Sequence, residues 1–170
     1  DFRSGTNDQD VISGFSDTEN EVSVNVRLQA QSPIVRAFSG AIDAVRVTLG
    51  VPQLTSQDKT TGDLHGSTVS VQIDVDNNGG GYAPFTTTVF SGKTTSRYKR
   101  SVYIPLSGSG PWNVRMTRLT EDSTSSSLIN QTWWDSVAEI VESKLSYPNS
   151  AIVGLSVDAE QFADIPTRGY

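Results

Sequence analysis

The stretch Asp74-Val-Asp76-Asn-Asn78-Gly79 sets side-chain oxygens at alternate positions and then a glycine, the first half of a calcium-binding loop. The bidentate glutamate that clamps the ion at the end of such a loop is replaced here by Phe85. Asp74, Asp76 and Asn78 are therefore an incomplete metal set. A polar strand face running into a glycine hairpin accounts for the same residues.

Lys93, Arg97, Lys99 and Arg100 form a basic cluster in an acidic chain, with Tyr98 and Tyr103 beside it. Such a cluster is either a solvated strand face or a salt-bridging contact with an acidic neighbouring subunit, and these residues are the candidate interface. Trp112, Trp133 and Trp134 could stack against sugar rings. The alternative is one tryptophan in a core and another against a neighbouring domain, since adjacent Trp133 and Trp134 face opposite sides of a strand.

Catalytic chemistry has little to work with. His65 is the only histidine, no Gly-x-Ser-x-Gly elbow partners it, and a surface histidine explains it. Asp158 with Glu160, and Glu139 with Glu142, are the nearest carboxylate pairs for glycoside hydrolysis, and nothing in their spacing singles them out. Gly79-Gly80-Gly81 lacks the Lys and Ser/Thr of a phosphate-binding loop. No catalytic residue and no cofactor are expected.

The bulk properties agree. A chain of 170 residues fits one domain, or one domain with arms, and 14 glycines with 7 prolines suit a loop-rich β protein. A net charge of −6 disfavours sequence-independent nucleic-acid binding. The absence of cysteine excludes disulfides and thiolate sites. No apolar run approaches the length of a membrane span. Because the first residue is Asp and neither end shifts in composition, the chain reads as a segment of a longer polypeptide.

The elements that must position these residues are short strands. Val22 to Leu28, Val45 to Leu49 and Val69 to Val75 alternate apolar with polar residues, with Ser70, Gln72, Asp74 and Asp76 expected to face water. Asn77 to Gly81 should turn the third of these back into Tyr82 to Phe90 as a hairpin. Ile34 to Phe38, Arg100 to Leu106, Trp112 to Thr120 and Ile152 to Val157 supply further strands, and Thr55 to Gly66 reads as a polar connection. Over Thr132 to Leu145 the spacing of Trp134, Val137, Ala138, Val141 and Leu145 fits a helix, while Trp133, Val137 and Val141 also fit a strand. A strand is preferred, because this stretch and Trp112 to Thr120 flank a Ser/Thr loop as the last two strands of a fibronectin-III-like sandwich do. The expectation is an all-β, fibronectin-III-like or Ig-like β-sandwich over residues 21–157, with an extended N-terminal arm over 1–20 and a C-terminal arm over 158–170.

The closing Tyr147-Pro-Asn-Ser-Ala-Ile-Val-Gly-Leu-Ser-Val-Asp-Ala-Glu-Gln-Phe162 with Ile165-Pro-Thr-Arg-Gly-Tyr170, the opening Asp1-Phe-Arg-Ser-Gly-Thr-Asn-Asp-Gln-Asp10 and the central Gly92-Lys-Thr-Thr-Ser-Arg-Tyr98 carry a family resemblance. The chain resembles, from end to end, the host-specificity (tail tip) protein J family of lambda-like phages, and departs from it at Thr55–Gly66 and in the Ser-rich loop after Thr120. The resemblance implies an internal segment of the tail hub, a virion structural element without an active site. It implies other tail-tip proteins as partners, trimeric self-association of the full-length protein, and a host receptor met through regions outside this segment. Residence in the virion after assembly in the host cytoplasm follows from the same likeness. The rival readings are a carbohydrate-binding β-sandwich module and a glycan-degrading enzyme.

Overall fold

The computed structural model describes residues 2–11, 18–142 and 146–155. The expected C-terminal arm, the Asp158/Glu160 pair, Leu145 and the arm residues Ile12 and Phe15 lie outside these. The strands in chain order are β1 (Phe2–Ser4), β2 (Thr18–Leu28), β3 (Ile34–Phe38), β4 (Ala44–Val51), β5 (Thr55–Gln57), β6 (Leu64–His65), β7 (Ser67–Asn77), β8 (Tyr82–Gly92), β9 (Tyr98–Pro105), β10 (Trp112–Arg118), β11 (Leu128–Ile129), β12 (Thr132–Val141) and β13 (Ala151–Val153). No helix occurs among the described residues.

Two compact units emerge, Thr18–Val141 and the flanking segments taken together. In the larger unit, two antiparallel four-stranded sheets, ordered β2-β12-β4-β9 and β3-β10-β7-β8, form a β-sandwich. Alternation explains the pairing of faces. Val45, Val47 and Leu49 of β4 and Ile104 of β9 meet Val69, Val71 and Ile73 of β7 and Val114 and Met116 of β10 in one core, all of them fully buried. Each such side chain contributes roughly 1.5–3 kcal/mol relative to an exposed one.

The strand preferred over Thr132 to Val141 is present, and its misleading helical spacing has a local cause. Asp135 is an extra residue in β12: Trp134 pairs with Leu49 and Ser136 with Thr48, so two residues of β12 stand against one step of β4. The bulge shifts the phase, and Trp134 and Val137 both reach the core although three positions apart. The two strands that flank the Ser/Thr loop lie in different sheets. β12 leaves the sheet of β10 and inserts between β2 and β4, while β3 lies against the edge of β10.

Arg118 holds that crossing together. Its side chain is completely buried at the end of β10. The guanidinium donates to the carbonyls of Thr120 (2.8 Å), Asn130 (2.8 Å) and Glu121 (3.3 Å) and to Thr132 Oγ1 (2.6 Å), so one side chain ties the exit of β10 to the entry of β12. Burial pushes its pKa down from the ordinary arginine value, and Asp122, 3.6 Å away, works against that shift.

The polar connection Thr55–Gly66 contains β5 and β6, which form a small sheet with β11 in the order β11-β5-β6. Their shortness hides any alternation. Within Asp58–Gly62, the Asp58 carboxylate accepts from the Thr60 and Thr61 amides at 2.7 and 3.1 Å, bonds that lower its pKa.

In the smaller unit β1 pairs with β13, Phe2 opposite Val153 and Ser4 opposite Ala151. Gln9 supports this ribbon, its side-chain amide donating to the carbonyl of Ser150 at 2.9 Å and its oxygen accepting from the Gly5 amide at 2.9 Å. The opening residues, which show no period, therefore include a strand. The strand expected from Ile152 onward is Ala151–Val153 and pairs with β1 and not with the sandwich. The units divide at Thr18 and Val141, where the expected arms end at 20 and begin at 158.

A fragment spanning residues 18–141 is expected to fold alone, giving a β-type dichroism spectrum and one cooperative transition with the same midpoint by dichroism and by tryptophan fluorescence. Arg118→Ala is expected to cost about 3–5 kcal/mol in urea unfolding, because several buried acceptors lose their donor at once.

Candidate functional site

The incomplete calcium set resolves into two closed polar pairs. Asp74 is 2% exposed and accepts from Arg115 Nε and Nη2, both at 2.9 Å, with the Gln72 side-chain amide at 2.7 Å. Arg115 in turn lies over the Tyr82 ring, 4.0 Å from its centroid. Asp76 is 7% exposed, caps the hairpin by accepting from the Gly81 amide at 2.9 Å, and meets the Asn113 amide at 3.2 Å. Asn78 occupies the turn with φ 53°.

The expectation that Asp74 and Asp76 face water is thus corrected. They lie on the outer face of β7, but Arg115 and Asn113 of β10 stand directly across from them in register and cover them. Phe85, where the clamp would be, is the extra residue of a bulge in β8. Among the described residues no group of three or more His, Asp or Glu could hold a metal ion.

The basic cluster divides into two pairs. Arg97 and Lys99 converge on Asp135, which is 3% exposed: Arg97 donates through Nε at 3.2 Å and also through Nη2, and Lys99 Nζ lies 3.4 Å away. The acidic partner of these two is therefore intramolecular, supplied by the bulge of β12. Gly50 makes room for it, because a Cβ there would sit 2.6 Å from Asp135 Oδ2. Lys93 and Arg100 turn elsewhere. Lys93 Nζ donates to the Leu64 carbonyl at 3.3 Å, and Arg100 Nη1 donates to the Val89 carbonyl at 3.0 Å with its guanidinium 5.8 Å from the Phe90 ring centroid.

The remaining candidates scatter. Trp134 is fully buried in the core, its indole donating to the Ser136 carbonyl at 3.0 Å, and Trp112 is 4% exposed with its indole on the Ser107 carbonyl at 3.0 Å. Only Trp133, half-buried, faces outward, so the three tryptophans build no sugar platform. His65 is exposed on β6, paired in register with Ser56 of β5. Glu139 lies on β12 beside an apolar cleft between β2 and β3, and Glu142 belongs to the flanking unit.

Sequence reasoning missed Asp135, Gly50, Arg115 and Arg118. The available signal was an acid inside the apolar run Trp133-Trp134-Asp135, and two arginines on one alternating strand, Arg115 at a polar position and Arg118 at an apolar one.

An antiparallel sandwich of two four-stranded sheets, whose buried carboxylates are held by its own side chains, belongs to the class of fibronectin-III-like β-sandwiches. The family model for the FNIII-A domain of tip attachment protein J matches residues 18–143, and the chain belongs to that family. Tip attachment protein J of Escherichia phage SECphi4 is 40% identical over 169 residues, 97% of this chain and 15% of that protein. Tip attachment protein J of Escherichia phage SECphi27 is 36% identical over 163 residues, 95% of this chain and 14% of that protein. The chain thus spans only 14–15% of the length of these relatives. A crystal structure of a Sulfurospirillum deleyianum protein aligns with a TM-score of 0.39 at 13% identity over 74% of this chain and 99% of that one, a likeness too distant to inform function.

Gly50→Ala is expected to push Asp135 off Arg97 and Lys99 and to cost about 1–3 kcal/mol by chemical denaturation. A larger share of the loss should vanish in Gly50→Ala/Asp135→Ser, where the clash is relieved.

Proposed function

We propose that the chain is a structural segment of the central protein of a phage tail tip, working by contact with other tail-tip proteins and not by catalysis. The single observation that carries this reading is the match of residues 18–143 to the FNIII-A domain of tip attachment protein J together with relatives of that name along nearly the whole chain. The placement of the charged side chains supports it, since Asp74, Asp76, Asp135 and Arg118 all serve the sandwich itself. No helix among the described residues is long and apolar enough to cross a membrane.

In this reading the module resides in the virion and is put in place in the host cytoplasm. The complete polypeptide associates as a trimer, and the host receptor is met by regions outside residues 1–170. The part of the module free to contact a neighbour is its cationic end, where Lys93 and Arg100 project and Arg97 and Lys99 bring two positive charges to the one carboxylate of Asp135. The net charge of −6 of the whole chain sets it against binding nucleic acid by itself.

The test is location. A peptide tag inserted in the exposed stretch Thr124–Ser126 of the intact protein, decorated with gold-labelled antibody on assembled virions, should mark the distal end of the tail. Label on the capsid or along the tail tube, or virions that assemble and infect normally after removal of residues 18–141, would refute it.

A further inference from the structure

Between β8 and β9, the edge strands of the two sheets, lies a half-open hollow of ≈ 230 Å³. Its floor is apolar, built from Val51, Leu54 and Phe90, all essentially buried. Tyr98 stands over Phe90 edge to face, with centroids 6.0 Å apart and planes at 88°, and is itself 40% exposed. Lys93 and Arg100 form the rim.

These two cations differ from other arginines and lysines of the sandwich. Arg97 and Lys99 share Asp135, Arg115 holds Asp74 and Arg46 holds Glu19. Lys93 and Arg100 reach only backbone carbonyls, those of Leu64 and Val89, and among the described residues neither has a carboxylate within ion-pair distance. Two unneutralised cations beside an apolar hollow, in a chain of net charge −6, make a localised complement to negative charge.

Resting on the reading of the chain as a tail-tip contact module, we infer that this hollow receives an acidic segment of another tail-tip protein. One apolar side chain of that segment fills the hollow against Phe90 and Tyr98, and a flanking Asp or Glu pairs with Arg100 and Lys93. The volume suits one aliphatic or aromatic side chain and is too small for a helix or a strand. Strand addition to β8 is blocked at this point, because Arg100 already occupies the Val89 carbonyl on the free edge of β8. Arginine can take a carboxylate in bidentate fashion while stacked on an aromatic face, so the existing Arg100–Phe90 geometry is poised for that bond. A polyanion such as DNA would gain only these two cations here, in a chain whose net charge of −6 opposes it.

The probes are three capped pentapeptides, Ser-Asp-Phe-Glu-Ser, its lysine counterpart Ser-Lys-Phe-Lys-Ser, and Ser-Asp-Gly-Glu-Ser, titrated into the isotope-labelled chain and followed by NMR. The first should shift the amides of Phe90, Gly92, Lys93 and Tyr98 at millimolar concentration, and the two controls should bind at least tenfold more weakly. Arg100→Gln and, separately, Lys93→Gln should each weaken the first peptide severalfold while leaving the amide spectrum of the core strands unchanged. Equal effects of all three peptides, shifts elsewhere on the sandwich, or no effect of either variant would overturn the inference. So would the same amides shifting more strongly with a short DNA strand, or with excess unlabelled chain, the latter assigning the hollow to a second copy. A tag at the tail tip with no peptide response would leave the functional reading standing and remove only this inference, whereas a tag elsewhere would remove the reading itself.

Discussion

The sandwich depends on one strand being paired on both sides. β12 is hydrogen-bonded to β2 along one edge and β4 along the other, with register maintained from Thr132 to Val141 apart from the single bulge. Without it, β2 would have no partner and the sheet would reduce to the β4–β9 pair. β12 is also the last strand of the unit in chain order, so the sheet that holds the first strand cannot close until nearly the whole module exists. Such long-range pairing carries a loop-closure cost that local hairpins such as β7–β8 do not. Trp134 offsets it, bringing the largest fully buried side chain of the unit into the centre of the core from this very strand.

The charges are organised around the same problem. A strand that crosses from one sheet to the other leaves its connecting backbone with unpaired carbonyls, and a buried carbonyl without a donor costs about 1–3 kcal/mol. Arg118 answers with several donors from one rigid group, which lysine could not match. At the bulge, Asp135 fills the space that Gly50 leaves open and is met by two cations of the neighbouring loop and strand. Burying ions in this way is weak evidence for added stability, since desolvation offsets much of the attraction. It does specify which loop lies against which strand, and it removes these residues from the pool available for chemistry.

Alternation made much of the fold legible. Ile34 to Phe38 is a strand over the residues expected, and the hairpin at Asn77 to Gly81 follows from side chains that tolerate positive φ. What was illegible has physical causes. A bulge converts a period of two into an apparent helical spacing, as at Trp134 and Val137. Strands of two or three residues, such as β6 and β5, are too short to show any period. Which sheet a strand joins is decided by partners far along the chain, so the crossover of β12 could not be read from the loop before it. The site was half legible: the basic cluster stood out by composition, but its division between Asp135 and the Phe90 hollow required the alternation of β9 to be placed in three dimensions.

Edge strands bring these threads together. A sandwich with open sheet edges must avoid indiscriminate edge-to-edge pairing. β2 carries Glu19, Glu21 and Arg27 and has Asn25 at φ 50°, β3 is five residues long, and β9 presents Lys99 and Arg100. β8 is the exposed risk, eleven residues without a charge. Its protection comes from Pro84, from the bulge at Phe85, and from Arg100 reaching across from the other sheet to hold the Val89 carbonyl. The residue that blunts this edge is the same one that rims the hollow. At this point of the edge the geometry disfavours backbone pairing, which any extended chain could satisfy, and leaves the side chains around the hollow, which only a chain of the right charge and shape could match.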